Sequence, residues 1–383
     1  MGINAVVNSQ SQNSTTATGK TANVVPFCRA TRSGKVPFFD TTYTWTAGQS
    51  IQVGPVEIAA QGFMRSVLVE VTATGGSGST TAAVNSADGP FNVFSNFSLN
   101  DVNGSPIYGP LDGYNMYLAQ KWGGYQGYPD PRNGIYSAPA STGNFTCVFR
   151  VPVEIIARSG LGDLPNTNAA AAYKINCIIN PPGTVYSTVP APTIPNIRVR
   201  MFLEYNTQPA PTDVLGNMNA TSPPNMGTTQ FWTQATYTLA SGSNTTRLLR
   251  VGNYIRNLIF VLRNSSGVRI GVSNWPDPLT IQQDGFQLDQ ISADVFQDLA
   301  FRNFGYASSS LDGAGDQDTG VFAYPFTTDL SLTPGNELRH KYLPTLESTR
   351  LLVIGTYGST ATQLTVLTND ISPSGDIFTL ATL

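Results

Sequence analysis

From residue 38 onward, apolar positions alternate with polar ones in short runs, each closed by glycine, proline, asparagine or aspartate. Period-two alternation puts one face of an extended segment on a core and the other on water. It predicts strands over 41–46, 51–58, 64–72, 91–99, 145–153, 173–179 and 197–205. A second series falls at 236–239, 247–251, 255–262, 279–281, 321–326 and 350–357. Each series has about the number of strands that a two-sheet sandwich uses. Helical spacing occurs once in each series: Leu111, Tyr114, Leu118 and Trp122 in the first, and Leu288, Ile291, Val295 and Leu299 in the second. One short helix per series is expected.

Two stretches lack the pattern. Residues 1–35 hold Asn, Gln, Ser and Thr runs and read as an arm that is flexible until it meets a partner. Residues 207–228 contain Gln208-Pro209-Ala210-Pro211 and Ser222-Pro223-Pro224 and read as a linker. The expected plan is therefore an arm (1–35), a first β-domain (36–206), a linker (207–228), a second β-domain (229–358) and a C-terminal strand or tail (359–383).

The two β-series also match one another. Thr42-Tyr43-Thr44 matches Thr236-Tyr237-Thr238 at an offset of 194, and Phe63 to Val69 matches Tyr254 to Phe260 at 191. Leu118-Ala119-Gln120-Lys121 with Gly124-Tyr125 matches Leu299-Ala300-Phe301-Arg302 with Gly305-Tyr306 at 181. Val148-Phe149 with Pro152 matches Val321-Phe322 with Pro325 at 173, and Pro192-Thr193-Ile194 with Arg198 and Tyr205 matches Pro344-Thr345-Leu346 with Arg350 and Tyr357 at 152. The falling offsets describe one strand order written twice, with longer loops in the first copy.

Composition sharpens this picture. Charged residues make up 12% of the 383, about half the usual share, while Gly (36) and Pro (26) are plentiful. A surface so poor in charge suits a protein that neighbours will cover, and on composition alone it suits a secreted β-domain equally well. The net charge is −3, so the chain as a whole carries no field for gripping nucleic acid, and no specific nucleic-acid binding is expected. Locally the balance differs: Lys20, Arg29, Arg32 and Lys35 precede any acidic residue, leaving 17 cations against 24 anions in the remainder. Three scattered cysteines without a CxxC pair argue against a disulfide framework. The polar N-terminus has no signal-type apolar core, so synthesis in a cytoplasm is expected.

Candidates for chemistry are few. One histidine, His340, offers no triad partner in the string, and one His with three Cys builds no ordinary transition-metal site. The segment from Asp312 to Asp318 has three carboxylates among glycines but lacks the spacing of a calcium loop, so an acidic turn and a calcium site stay open. Gly19-Lys20-Thr21 lacks the first glycine and the preceding strand of a phosphate loop. A glycosidase needs two carboxylates facing across a cleft, and the acids here sit mostly at turns such as Asp101, Asp112, Asp130, Asp277 and Asp284. Trp122, Tyr125, Tyr128, Trp232 and Trp275 suit core packing or subunit contacts better than a sugar platform. No catalytic residue, metal or cofactor is assigned; the chain reads as a non-enzyme.

These features together resemble the double jelly-roll major capsid proteins of tectivirus-type viruses, icosahedral double-stranded DNA viruses and bacteriophages with an internal membrane. The resemblance spans about 36–360 and rests on the tandem β-repeat, on Phe38-Phe39-Asp40 followed by the strand Arg65 to Val71, and on Gly89-Pro90-Phe91-Asn92-Val93 leading through a strand into a helix. It implies an all-β fold of two tandem eight-stranded jelly rolls, each with one short helix. It further implies a homotrimer whose six rolls make a pseudo-hexagonal tile of a viral shell, meeting neighbouring capsomers, penton and minor capsid proteins in the virion. The arm, with Lys20, Arg29, Arg32 and Lys35, would lie toward the inner membrane. A competing class is a virion spike or fibre domain that grips a host receptor or glycan; a third, a β-sandwich hydrolase, requires acids clustered at one sheet end.

Overall fold

The computed structural model describes residues 14–15, 21–22, 24–125, 142–304, 318–327, 330, 337–348 and 350–378. Two sets of eight strands carry the fold. The first is β1 (Ser33–Tyr43), β2 (Ile51–Glu57), β3 (Phe63–Thr74), β4 (Phe94–Asn100), β5 (Pro106–Leu111), β6 (Phe145–Pro152), β7 (Lys174–Ile179) and β8 (Asn196–Asn206), with α1 (Gly113–Trp122) between β5 and β6. The second is β9 (Thr229–Thr238), β10 (Gly242–Leu248), β11 (Tyr254–Arg263), β12 (Leu279–Gln283), β13 (Phe286–Ile291), β14 (Val321–Pro325), β15 (Leu351–Tyr357) and β16 (Gln363–Ser372), with α2 (Ala293–Phe304) between β13 and β14.

Within the first set the sheets run β6-β3-β8-β1 and β5-β4-β7-β2, all antiparallel; within the second they run β14-β11-β16-β9 and β13-β12-β15-β10. Adding eight to each label converts the first set into the second. Both are therefore eight-stranded jelly rolls of one topology.

The rolls join through an edge. β9 lies parallel to β5 with Trp232 opposite Tyr108, so a single sheet passes from β14 to β2 through both rolls. Parallel contact keeps both rolls pointing the same way. At one end, here called the base, Asn206 pairs with Ser33 and Phe63, and Ser372 pairs with Thr229. The arm, the linker and the tail all leave from this base. Val25 donates to the Met218 carbonyl at 2.8 Å, Ala220 donates to the Val25 carbonyl at 2.9 Å, and Asn225 Nδ2 donates to the Asp376 carbonyl at 2.6 Å. Phe27 is buried edge-on to Phe63, with ring centroids 5.2 Å apart.

One apolar cluster crosses the joint, packing Trp122 and Leu118 of the first roll with Trp232, Ile259, Val261 and Leu367 of the second. A separate cluster fills the second roll around Trp275, Phe260, Phe296 and Phe322. Burying such aromatics supplies most of the drive to fold.

Several expectations are corrected. β5 was unforeseen because Pro106, Gly109 and Pro110 interrupt its pattern. Gly109 has φ +87°, and a Cβ there would stand 2.2 Å from the Phe97 carbonyl oxygen, so only glycine fits beside β4. Leu288 and Ile291 belong to the strand β13, not to a helix, and Leu111 to β5. Over so short a run the two periodicities coincide, and the Asp284-Gly285 turn, with φ of 48° and 94°, sets a hairpin there. β16 falls within 359–383 and lies between β9 and β11 in the middle of its sheet. The match at offset 152 joined β8 to β15, which hold different places; the counterpart of β8 is β16.

Candidate assembly surfaces

The joint between the rolls shows how this fold sticks to itself. Asp112 caps α1 by accepting from Asn115 N at 2.8 Å, and Asn115 Nδ2 donates across to Gln234 of β9 at 2.8 Å. Burial raises the Asp112 carboxyl above its usual range. At the other end of α1, Asn257 Nδ2 donates to the Trp122 carbonyl at 2.7 Å and Arg256 Nη1 to the Gly123 carbonyl at 2.6 Å. The cationic Arg256 suits this end, where the helix dipole is negative. Burial opposes the charge on Arg256, but Glu337, Tyr125 and Tyr342 outweigh it and hold the guanidinium well above its ordinary range. Glu337 accepts from Arg256 Nε.

Other polar contacts lock the same joint. Lys121 and Asp318 form an ion pair with both side chains fully buried. Asp88 accepts from Arg263 at 2.8 Å and from Arg269 at 2.7 Å, tying a loop of the first roll to the second. Gln230 Nε2 donates to the Val153 and Glu154 carbonyls at 3.0 and 2.7 Å. Buried polar groups so paired fix one docking geometry.

The corresponding surfaces at the two outer flanks are open. α1 is buried along almost its whole length, whereas α2 buries only Phe296, Ala300, Asn303 and Phe304. Among the described residues β13 pairs only with β12; its Phe286 (79% exposed) and Leu288, with Val295 and Phe301 of α2, are exposed. A groove of about 620 Å³ lined by Pro278, Asp289, Ile291, Val295 and Leu299 runs between strand and helix. On the opposite flank the outer face of β6-β3-β8-β1 carries a ladder of ion pairs. Arg198 meets Asp40 at 2.7 Å, Arg200 meets Glu70, and Glu154 takes both Arg65 at 2.7 Å and Arg150 at 2.6 Å. Ile259 and Val261 of β11 are buried in the joint; Leu68 and Glu70, their counterparts on β3, are half-buried here.

At the base, the structure brings Arg29 and Arg32 together on a groove of about 730 Å³, which Val214 and Leu215 also line. These two apolar residues, 101% and 83% exposed, stand at the tip of a turn held by Asp213, whose Oδ1 accepts from Leu215 N and Asn217 N at 2.8 Å. Sequence reasoning missed them; the only signal was an apolar pair inside a polar linker. Lys35 sits apart on β1 and pairs with Glu204 at 3.2 Å. Lys20 lies outside the described residues.

The remaining candidates separate. His340 is exposed at the base in the turn Arg339–Lys341. Of the Asp312–Asp318 segment only Asp318 falls among the described residues, and it is engaged by Lys121. Burial pushes the Cys28 and Cys177 thiols up to about 12 and Cys147 upward too, so all three stay protonated. Trp122, Trp232 and Trp275 are buried in the two cores, and Tyr128 lies outside the described residues. Among the described residues no three His, Cys, Asp or Glu side chains gather as a metal site, and no helix is long and apolar enough to cross a membrane.

No protein-family profile and no curated protein sequence matches the chain. Solved structures do match its fold. A chain from the atomic structure of Sulfolobus Turreted Icosahedral Virus superposes with a TM-score of 0.60 at 14% identity, covering 89% of this chain and 91% of that one. The crystal structure of the STIV MCP gives 0.58 at 15%, covering 89% and 97%. The major capsid protein P2 from bacteriophage PM2 gives 0.54 at 8%, covering 89% and 98%. At these identities the likeness establishes the double jelly-roll architecture over nearly the whole length of each chain.

Proposed function

We propose that this chain is the major capsid protein of an icosahedral virus, and that it acts by assembling with copies of itself. The observation that carries the reading is the doubled topology with one joint made and its two halves left open. The first roll offers β5 and α1, and the second roll's outer sheet face covers them. The second roll offers β13 and α2 in the same way, and the first roll's outer sheet face is the matching surface. Repeating the internal joint between chains makes a closed ring of six rolls from three copies, a pseudo-hexagonal homotrimer. Such a tile, set beside neighbouring capsomers and penton and minor capsid proteins, covers a shell. The work is geometric, and no step of it requires catalysis.

In this reading the base faces inward, over a membrane and a double-stranded DNA genome. Arg29, Arg32 and the arm's Lys20 supply attraction to anionic headgroups, each worth about 1 kcal/mol near such a surface. Val214 and Leu215 present apolar tips beside them.

The test is sedimentation and native mass spectrometry of the purified chain, followed by electron microscopy of its assemblies. A stable trimer and hexagonal tiles are expected; a monomer at all concentrations, or a scarce component of purified particles, defeats the reading. For the base, deletion of residues 1–35 is expected to weaken flotation with anionic vesicles. Equal binding by the deleted chain would remove the arm from that role.

A further inference from the structure

We propose that the turn carrying Val214 and Leu215 inserts into the interface of an anionic lipid bilayer, where Arg29 and Arg32 beside it meet the headgroup phosphates. This deepens the inward-facing base of the preceding reading, on which it rests, and gives that base an apolar anchor in addition to its charge.

The turn is the tip of a small hairpin. Thr212 bridges Met218 in antiparallel, and Asn219 N donates to the Pro211 carbonyl at 2.9 Å. At the tip Asp213 N donates to the Asn217 carbonyl at 2.9 Å, and Gly216 turns the chain with φ +80°. The second leg is tied to the arm, where Val25 bridges Asn219 in parallel and the buried Phe27 packs on Phe63 of the first roll. A tip so held keeps one shape. Its geometry does not ask for apolar residues: aspartate at the first turn position and glycine at the fourth carry it, and the two positions between accept polar side chains. Valine and leucine stand there instead, almost wholly in water.

The surroundings have the chemistry of a lipid interface. Met218 and Met226 of the linker add exposed apolar side chains at the base, and so does Leu346, just beyond the Pro344↔Tyr254 pair at the start of β11. Arg29 and Arg32 are exposed and engage no carboxylate among the described residues. Asp213, the one acid among the residues lining their groove, has its oxygens turned to Leu215 N, Asn217 N and Asn217 Nδ2. Exposed apolar tips beside unpaired cations fit a surface that is anionic at its rim and oily beneath, which duplex DNA does not offer. One tip holds weakly. Three in a trimer act together, because the first to insert raises the effective concentration of the others.

The test is flotation of the full chain with phosphatidylcholine vesicles containing phosphatidylglycerol, at low salt and in about 0.5 M salt, where charge attraction is largely screened. Val214→Ser with Leu215→Ser is expected to weaken partitioning about 10-fold or more and to abolish the share that survives high salt. Its thermal midpoint is expected to match the parent's, since both side chains are already in water. Leu215→Cys, labelled with a polarity-sensitive dye in a Cys28→Ser background that leaves only buried cysteines elsewhere, is expected to shift its emission to the blue on vesicles. Equal flotation of variant and parent, or a dye that stays in a water-like environment on bound vesicles, overturns the insertion and leaves the cationic base standing. A changed oligomer distribution in the serine variant without vesicles assigns the tip to a contact between copies and overturns it too. A parent chain that ignores anionic vesicles while native mass spectrometry shows its trimer removes the membrane-facing base and the insertion together, and spares the assembly reading.

Discussion

Trp232 and Tyr108 lie opposite one another as the register pair that joins two rolls, in parallel where the ladders within each roll are antiparallel. Both are buried, and the cluster around them belongs to the first roll and the second alike. The rolls therefore fold as one body whose relative orientation is set by side-chain packing and by the polar contacts along α1.

Trp232→Ala removes one of the two tryptophans packed in this joint. The expected loss is about 3–5 kcal/mol, from lost burial and an unfilled cavity. Urea unfolding with fluorescence is the measurement, and the transition is expected to split as the rolls uncouple.

Lys121 and Asp318 are both fully buried, so removing one leaves a buried charge without its counter-ion. Lys121→Ala is expected to destabilise by about 3–5 kcal/mol, and Lys121→Met with Asp318→Leu to recover most of that. Denaturant midpoints of the three proteins decide it; equal losses in the single and double variants would contradict the pairing.

The same pair bears on calcium. Because Lys121 occupies the Asp318 carboxylate, millimolar calcium or a chelator is expected to leave the thermal midpoint unchanged. A calcium-dependent rise would show that the acidic segment binds the ion after all.

Asp163, buried beside the arm, has its carboxyl raised well above the ordinary range, by burial first and by Glu154 second. With the folded value above the unfolded one, the fold retains a proton that the unfolded chain releases. Stability is unaffected below about pH 4 and falls as pH climbs from there toward the folded value. Asp163→Asn keeps an acceptor for Asn206 and removes the titration. Its stability is expected to exceed that of the parent chain at neutral pH and to match it in acid, as read from thermal unfolding across pH 3–8.

Asp88 is held by two arginines of the other roll, so Asp88→Asn is expected to cost about 1.5–3 kcal/mol. The same substitution in 0.5 M salt is expected to cost nearly as much, since Arg269 is almost wholly buried and screening reaches it weakly. Paired melts at low and high salt measure it.

Much of the architecture was legible in the chain. Runs such as Met64 to Thr72 and Ile255 to Leu262 declare themselves because a strand half-buried in a sandwich must alternate or become wholly apolar. Tandem repetition was legible because Arg65-Ser66-Val67 and Arg256-Asn257-Leu258 serve one structural role twice. β5 and β13 were hidden for a different reason. One is broken by Gly109 and Pro110, and the other runs straight into a helix whose spacing absorbs Leu288 and Ile291.

Local sequence determined the elements, their order and their doubling, since propensity, alternation and turn chemistry act over a few residues. Tertiary structure alone decided which edges meet, that Arg256 reaches the end of α1 and Lys121 finds Asp318, and that α2 and the outer face of the first roll remain open. Those outcomes depend on residues separated by 100 or more positions, whose meeting is fixed by the packing of whole sheets and leaves no periodic trace in the string.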